Sequence, residues 1–277
     1  CLQSFNGSSW HALKEFVLVG RRSAEQAQRT RQLGQGAVPV CTVLGQEHKL
    51  SASELREAQR ALLRQGYDMF ACEAAYTREG AEEDGRCRSG GCAVIAPVSR
   101  GLELLWPYST ADFTTPATRG RLCGCWSRDL GGIACISVYF GLGGWTEVNR
   151  ALGEQLWRVL ATLSCAWVIG GDFNMSAEEL HEGLPWIVKV GMICRTLEGT
   201  CRVAERWTNI DMFVVSDRLR NAPQSMDAMY TYPSAPHRPV QLRLRHQPDD
   251  SVALLLDGPK VLPWKRPVGP DLSLIHI

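Results

Sequence analysis

The stretch with the clearest chemical character is residues 165–176, where an apolar run is followed by acidic and amide side chains. Its first five residues are apolar on both faces, which is typical of a strand covered from both sides. Asp172 and Asn174 follow two glycines, and Phe173 between them is predicted to point into the core. A carboxylate and an amide at the end of a buried strand suit a hard cation with a phosphate beside it. A turn ahead of a helix capped at Ser176 explains the same residues without any chemistry.

Other stretches have the same form, in which a polar side chain stands at the end or the start of an apolar run. They supply Asn6, Gln46 with Glu47, Asp211 and His237. Taken alone, each has an ordinary explanation as a turn residue, a solvated acid, a strand-start residue or a surface histidine. Taken together and in this order, they favour a shared site.

The composition excludes some classes of protein. The chain has 277 residues, 45% of them hydrophobic and 21% charged, which is typical of a globular protein with one large or two small domains. The net charge of +1 provides no strong overall field, so a polyanionic partner such as DNA has to be bound by a local patch. No apolar stretch has the length of a membrane span and the first residues have no signal-peptide pattern, so we expect an intracellular protein, nuclear or cytoplasmic, without a membrane partner.

The cysteines indicate a reducing compartment. There are 11 of them, an odd number, and their spacing is not that of paired metal ligands. Cys41 and Cys135 lie in apolar runs, where a free thiol behaves as a small hydrophobic side chain. Cys123 and Cys125 form a close pair without a His-x-x-x-His pattern near them, which argues against a zinc site.

The remaining pattern predicts many strands with a few helices between them. Capping residues predict helices that begin after Ser51 and after Thr146. Apolar or alternating runs predict strands at residues 38–44, 67–72, 92–98, 122–126, 133–140, 210–215, 228–232 and 240–245. This succession favours two sheets packed face to face with helices outside.

Both ends of the chain have unusual features. The chain opens at Cys1 without a methionine, and residues 272–277 resemble a translated sequencing adapter, so we expect a truncated start and an artefact at the end. Residues 247–271 are rich in proline and without periodicity, which predicts a linker or tail. The expected domain is residues 1–246, as a fragment of a longer polyprotein.

In their order along the chain, the polar motifs resemble those of the deoxyribonuclease I-like endonuclease/exonuclease/phosphatase superfamily. The resemblance spans residues 3–246, and the Gly-Gly entry to the strand at residues 92–98 is similar to that of non-LTR retroelement endonucleases. It implies a four-layer α-β-β-α sandwich of two packed, mainly antiparallel sheets with outer helices. The site is expected at one end of the two central sheets.

The resemblance implies a Mg²⁺-dependent phosphodiesterase, with Mn²⁺ as a substitute, that acts as a DNA-nicking endonuclease of retroelement type. The metal ligands that it implies are Glu47, Asn6 and Asp172. The catalytic residues that it implies are Asp172, Asn174, Asp211, His237 and Tyr139. Contacts to the DNA phosphates are expected from Asn174 and from an arginine patch of Arg86, Arg88 and Arg121 with Arg119 and Arg128, although loop arginines are as often merely solvated.

One position departs from the superfamily pattern. The superfamily has Ser-Asp-His where this chain has Ala235, Pro236 and His237. Proline cannot supply the missing carboxylate, so we expect an enzyme that is weakened rather than inactive. Two other functions stay open, which are a phosphatase or phosphodiesterase acting on a small or lipid phosphate and a catalytically decayed domain kept for binding.

Overall fold

The computed structural model describes residues 1–19, 41–76, 88–105, 118–128, 132–230, 232 and 236–245. The strands in these residues are β1 (Leu2–Asn6), β2 (Thr42–Gln46), β3 (Tyr67–Ala71), β4 (Ala75–Tyr76), β5 (Arg88–Ser89), β6 (Ala93–Pro97), β7 (Leu102–Leu104), β8 (Leu122–Ser127), β9 (Ile133–Tyr139), β10 (Ala166–Asp172), β11 (Gly191–Cys194), β12 (Cys201–Val203), β13 (Arg206–Thr208), β14 (Asp211–Ser216), β15 (Pro223–Ala228) and β16 (Val240–Leu244). The α-helices are α1 (residues 10–19), α2 (Ala52–Leu63), α3 (Glu147–Thr162), α4 (Ala177–Gly183) and α5 (Ile187–Val190).

Two six-stranded sheets form the centre of the fold. The first has the order β15-β16-β1-β2-β6-β3, and the second has the order β11-β14-β10-β9-β8-β7. Strand pairs are antiparallel apart from β1 with β2 and β9 with β10. The parallel pairs matter for function, because β1 and β2 end at one edge of the first sheet and β9 and β10 end at one edge of the second.

The helices cover the outer faces of both sheets. Helix α2 begins with a capping box formed by Ser51 and Glu54, as the sequence predicts, and it buries Leu55 and Leu62 against the first sheet. Helix α1 packs in the same apolar cluster. On the other side, the Thr146 side chain caps α3, and the inner face of α3 packs on β9, β10 and β14 together with α4 and α5. The four-layer α/β sandwich implied by the motifs is therefore confirmed.

The space between the sheets is mostly apolar. Leu44 and Val94 from the first sheet meet Val168 and Phe213 from the second, and all four are fully buried. Burial of this kind stabilises the fold by about 1.5–3 kcal/mol for each large side chain. The apolar contact between the two sheets fixes how the strand ends of one sheet lie against those of the other.

A polar connection through Gln46 crosses this apolar space near the strand ends. The Gln46 side-chain nitrogen donates to the Ser137 hydroxyl at 2.9 Å, and that hydroxyl donates to the Gly45 carbonyl at 2.8 Å. Both side chains are fully buried. Buried polar groups that satisfy each other favour one register over others, so this connection sets the alignment of β2 with β9.

Two strand predictions need correction. The strand predicted at residues 38–44 is Thr42–Gln46, and residues 38–40 lie outside the described part of the chain. The strand predicted at residues 228–232 is wrong, because the strand is Pro223–Ala228 and ends where the prediction begins. The aromatic residues of that run suggested a strand. Tyr232 instead packs on Phe5 and Phe16 and donates its hydroxyl to the Ala12 carbonyl.

The prediction that Cys41 is a free thiol is also wrong. Cys41 forms a disulfide with Cys1, from which it is separated by 40 positions in the sequence. The parallel register pairs Leu2 with Thr42, so the two cysteines that precede these residues lie side by side, with their Cα atoms 4.9 Å apart. The other cysteines in the described residues are free, among them Cys123, Cys125 and Cys135.

The tail predicted at residues 247–271 and the artefact predicted at 272–277 lie outside the described residues. Among the residues that the structure does describe, no helix is both long enough and apolar enough to cross a membrane.

Candidate active site

Asp172 lies at the centre of a cluster of polar side chains at the strand ends. It is the last residue of β10, paired in register with Tyr139 on β9 and with Asp211 on β14. In-register neighbours project from the same face of a sheet, so the three side chains form one row. All three are buried, and Asp172 and Asp211 are each only 1% exposed.

The opposite sheet contributes Asn6. The Asn6 side-chain nitrogen donates to Asp172 Oδ2 at 2.8 Å, and its side-chain oxygen accepts from the Ser8 backbone N–H at 3.0 Å. The sequence predicts Asn6 to be a metal ligand, and that role stays a prediction. The structure adds a contact that the sequence did not indicate, in which Asn6 holds the Asp172 carboxylate from across the two sheets.

The turn after β10 holds the other oxygen of Asp172. Asp172 Oδ1 accepts from the Asn174 backbone N–H at 2.9 Å, and Asn174 has a positive φ of 49°, which asparagine tolerates better than most residues. The Asn174 side-chain nitrogen donates to the Phe140 carbonyl at 2.8 Å and keeps a second hydrogen for another acceptor. Phe173 points into the core, as predicted, and stacks on Phe140.

His237 and Asp211 form a buried pair. His237 Nδ1 lies 3.0 Å from Asp211 Oδ2 and 3.2 Å from Oδ1. The other ring nitrogen, Nε2, lies 3.8 Å from Asp172 Oδ2 and 3.6 Å from the Cys201 thiol. Burial lowers the pKa of His237, but the hydrogen bonds to Asp211 and Cys201 and the charges of the two aspartates raise it well above its usual value. The imidazole is therefore held as a cation that can donate from Nε2.

The cluster also shifts the pKa of Asp172. A simple ion pair with His237 would lower this pKa, but here it is raised. Burial and the negative charge of Asp211 raise the pKa of Asp172 above its usual value, while the His237 charge and the Asn6 hydrogen bond oppose that rise. Two buried carboxylates with one imidazole between them leave an excess of negative charge at this point. A site of this kind favours an additional cation.

A short hairpin made of β12 and β13 holds the His237 segment. Cys201 and His237 form an isolated β-bridge, the Arg202 N–H donates to the Pro236 carbonyl at 2.9 Å, and the Arg238 N–H donates to the Thr200 carbonyl at 2.7 Å. Three successive residues of the hairpin base thus bind the segment that carries the histidine. The hairpin was not predicted, because strands of three residues each are too short to show a clear periodicity.

Thr200 supports the other half of the pair. Its hydroxyl oxygen accepts from the backbone N–H of Ile210 at 3.2 Å and from that of Asp211 at 3.0 Å. Thr200 is fully buried. Since its carbonyl also binds the Arg238 N–H, this residue links the start of β14 to the His237 segment. A lone threonine in a weakly patterned stretch gives no sequence signal of such a role.

Glu47 approaches the row from the first sheet. It follows Gln46, which pairs in register with Asn6, and its φ is 55°, in the left-handed region. Burial raises the pKa of Tyr139 above its usual value, and the negative charges of Glu47 and Asp172 raise it further. Both carboxylates therefore lie within electrostatic reach of the same phenol. Glu47, His237 and the pair Asp172 and Asn174 come from three separate parts of the chain, and all of them lie at these strand ends.

The residues present fit a hard divalent cation. Glu47 and Asp172 supply carboxylate oxygens, which Mg²⁺ prefers, and the charges of both act on Tyr139, whose hydroxyl also donates to Glu47. Asp172, Asp211 and His237 also offer ligand atoms within 4.8 Å of one another. Asp211 Oδ2 and His237 Nδ1 already contact each other at 3.0 Å, so Glu47 together with Asp172 suits a cation better.

The predicted arginine patch stays a prediction, and its described members have different partners. Arg121 lies just before β8 with its guanidinium 5.2 Å from the centroid of Tyr139, and its Nη1 is buried without a hydrogen-bond partner. Arg128 follows the other end of β8 and pairs with Glu103. Arg88 pairs with Glu54, and Arg119 pairs with Glu73. Arg86 lies outside the described residues. Among the described members of the patch, Arg121 borders the cluster through Tyr139.

Solved structures of nucleases share this fold. The AP endonuclease LMAP from Leishmania major superposes with a TM-score of 0.58 at 15% sequence identity, over 89% of this chain and 87% of that chain. The endonuclease domain of TRAS1, a telomere-specific non-LTR retrotransposon, gives a TM-score of 0.53 at 16% identity over 88% of this chain and 97% of that one. An endonuclease/exonuclease/phosphatase from Bacteroides vulgatus gives 0.55 at 13% identity over 89% and 98%.

No family model matches the chain, and no curated protein matches it. At identities of this size, the likeness to solved structures concerns the fold. The chain has the fold of the endonuclease/exonuclease/phosphatase superfamily, as its motifs predicted.

Proposed function

We propose that this chain is a metal-dependent phosphodiester hydrolase, and that it nicks DNA in the manner of a retroelement endonuclease. The observation that carries the proposal is the buried cluster around Asp172, which lies 3.8 Å from His237 Nε2 and accepts a hydrogen bond from Asn6. The fold that the chain shares with LMAP and with the endonuclease domain of TRAS1 supports the same reaction class.

Glu47 and Asp172 would hold the divalent cation, with Asn6 beside them. When bound, such a cation supplies positive charge to the non-bridging oxygens of the phosphate. Mg²⁺ suits this all-oxygen donor set, and Mn²⁺ accepts the same ligands.

The remaining catalytic groups belong to the chain itself. Asn6 and the Asn174 N–H fix both oxygens of the Asp172 carboxylate, which would accept a hydrogen bond from the attacking water. His237 would donate from Nε2 to a phosphate oxygen, while Asp211 fixes the imidazole through Nδ1. Asn174 would donate its second amide hydrogen to the phosphate, and Tyr139 with Arg121 would border the phosphate on the Glu47 side.

The test is nicking of supercoiled plasmid by the purified chain in Mg²⁺, in Mn²⁺ and in chelator. Bis(4-nitrophenyl) phosphate and an inositol phosphate run in parallel as a base-free diester and a small monoester. We expect open circular plasmid with either metal, slow hydrolysis of the nitrophenyl diester and none of the inositol phosphate. Asp217→Ala is the matched control for loss of the buried acid in Asp172→Ala, because Asp217 is an exposed acid that pairs with Arg220 on the surface.

Two results would contradict the proposal. Cleavage of the inositol phosphate without plasmid nicking would favour the small-phosphate alternative. No hydrolysis of any substrate, with the fold intact by circular dichroism, would favour a decayed binding domain.

A further inference from the structure

A stacked group of three side chains lies beside the candidate active site. Arg238 directly follows His237, and its guanidinium carbon lies 3.4 Å from the centroid of the Trp207 ring and 4.4 Å from that of the Tyr230 ring. Trp207 is 40% exposed and Tyr230 is 56% exposed. We call Trp207, Tyr230 and Arg238 the aromatic platform.

The backbone fixes the platform to the catalytic cluster. The Arg238 N–H donates to the Thr200 carbonyl at 2.7 Å, and its side chain donates to the Gly199 carbonyl at 3.5 Å. Trp207 lies on β13, paired with Arg202 on β12. A Cβ atom at Gly199 would lie 2.4 Å from the Cβ of Trp207, so only glycine allows this close approach. The platform therefore keeps a constant position relative to His237.

The chemistry of the platform selects one class of ligand. Exposed aromatic faces next to a guanidinium bind flat, electron-rich rings by stacking. The same hairpin exposes Arg202 and Arg206 with a single acid, Glu205, between them, so its surface carries a net positive charge. A flat ring attached to a polyanion is a nucleobase of a nucleic acid. In a paired duplex both faces of a base are covered, so only an unpaired base offers a face for stacking.

We propose that the aromatic platform binds an unpaired nucleobase next to the phosphate that the Asp172 cluster cleaves. This inference rests on the proposed function and narrows it. The preferred substrate is DNA with an unstacked nucleotide beside the scissile bond, such as a bulge or a single-stranded junction, rather than fully paired DNA.

The first experiment measures binding without cleavage. Fluorescence anisotropy in chelator compares a labelled duplex that has a one-nucleotide bulge with the same duplex fully paired. We expect the bulged duplex to bind about tenfold more tightly and Trp207→Ala to remove about that factor, since stacking on an aromatic side chain is of this size. Trp207→Phe should restore most of it.

The matched control is Trp157→Ala. Trp157 is 41% exposed, nearly the same as Trp207, but lies on α3 and packs on Trp186 away from the platform. Equal losses from Trp157→Ala and Trp207→Ala, or equal binding of the bulged and paired duplexes by the unchanged protein, would overturn the inference. This readout does not require activity, so it decides the platform even if the proposed hydrolase function fails.

The second experiment measures cleavage on the same duplexes and on bis(4-nitrophenyl) phosphate, which has no base. We expect Trp207→Ala to lower the rate on the bulged duplex about tenfold more than the rate on the nitrophenyl diester. Equal losses on both substrates would mean that Trp207 supports the fold of the site and contributes nothing to base recognition.

Discussion

The two sides of the Asp172 cluster differ in how completely the protein satisfies its own charges. On the His237 side, Asp211 and His237 are buried and hydrogen-bonded to each other. On the Glu47 side, Glu47 accepts a hydrogen bond from the neutral Tyr139 hydroxyl, and among the described residues Arg121 has a buried nitrogen without a hydrogen-bond partner. One side is complete within the protein, and the other leaves a negative and a positive group for something else.

This difference assigns separate tasks to the two sides. A paired, buried imidazole is preorganised and needs no rearrangement to donate a hydrogen bond. A carboxylate and a guanidinium that both contact Tyr139, with a guanidinium nitrogen that lacks a hydrogen-bond partner, suit a cation together with the phosphate that it binds. Changes on the His237 side should therefore alter the rate, while changes on the Glu47 side should alter the requirement for metal.

The largest expected effect is that of Asp172→Ala, because Asp172 belongs to both sides. Loss of a positioned base or water-orienting group lowers rates by about 10²–10⁴-fold, and here the loss of a metal ligand is added. Asn6→Ala should lower the rate less, since Asn6 acts through one hydrogen bond to Asp172. Plasmid nicking rates at saturating Mg²⁺ measure both. A near-normal rate in the Asp172 variant would remove this aspartate from the mechanism.

The next effect tests the Glu47 side alone. Glu47→Gln keeps the shape of the side chain but removes its charge, so the Mg²⁺ concentration for half-maximal rate should rise roughly ten- to a hundredfold, with a smaller change in the maximal rate. Glu57→Gln, an exposed acid on α2, is the control. A lower maximal rate with unchanged metal dependence would place Glu47 outside the metal site.

A smaller effect is expected at Thr200, which supports the His237 side. Thr200→Val removes the acceptor of two buried N–H groups without changing the shape, so the free energy of unfolding should fall by about 1–3 kcal/mol. The nicking rate should fall about tenfold because Asp211 loses its alignment, whereas the metal dependence should not change.

Two further variants separate this role of Thr200 from a general loss of stability. Thr200→Ser keeps the hydroxyl and should restore both the rate and the stability. Thr162→Val, at the end of α3, removes a hydroxyl that donates to the Val159 carbonyl and should leave the rate unchanged. If Thr200→Ser is as slow as Thr200→Val, the hydroxyl is not what positions Asp211.

The two sides also differ in what the sequence could predict. Asp172 and Glu47 follow apolar runs that end in polar side chains, and strand ends gather at one edge of a sheet, so their convergence is foreseeable. The hairpin that carries Thr200 and Cys201 is not, because its strands have three residues each and its contact to His237 spans 36 positions. The Cys1–Cys41 disulfide was missed for a related reason, since it depends on which strands are neighbours.

The smallest expected effect concerns Pro236, where this chain departs from the superfamily pattern. Pro236 is exposed and precedes His237, and its carbonyl accepts from the Arg202 N–H. Any residue at this position keeps that carbonyl, so Pro236→Asp should preserve the contact to the hairpin.

A carboxylate at position 236 would add a charge-assisted contact near His237 or the cation, and we expect the rate to rise, or the Mg²⁺ requirement to fall, by about threefold. The gain is limited because the cluster already carries the excess negative charge that raises the pKa of Asp172. Ala235→Ser together with Pro236→Asp restores the superfamily pattern, and a Mg²⁺ titration of the nicking rate measures the result.

Pro236→Ala separates the two properties that the substitution changes. It removes the fixed φ of proline without adding a carboxylate. If Pro236→Ala and Pro236→Asp both lower the rate while the metal dependence stays the same, the ring is what aims His237, and the missing acid is not a defect of this site. If Pro236→Ala is neutral and Pro236→Asp is faster, the His237 side lacks one charged group that the fold still has room to accept. The hydrogen bonds between Asp211 and His237 would then hold the imidazole in place without giving the full rate.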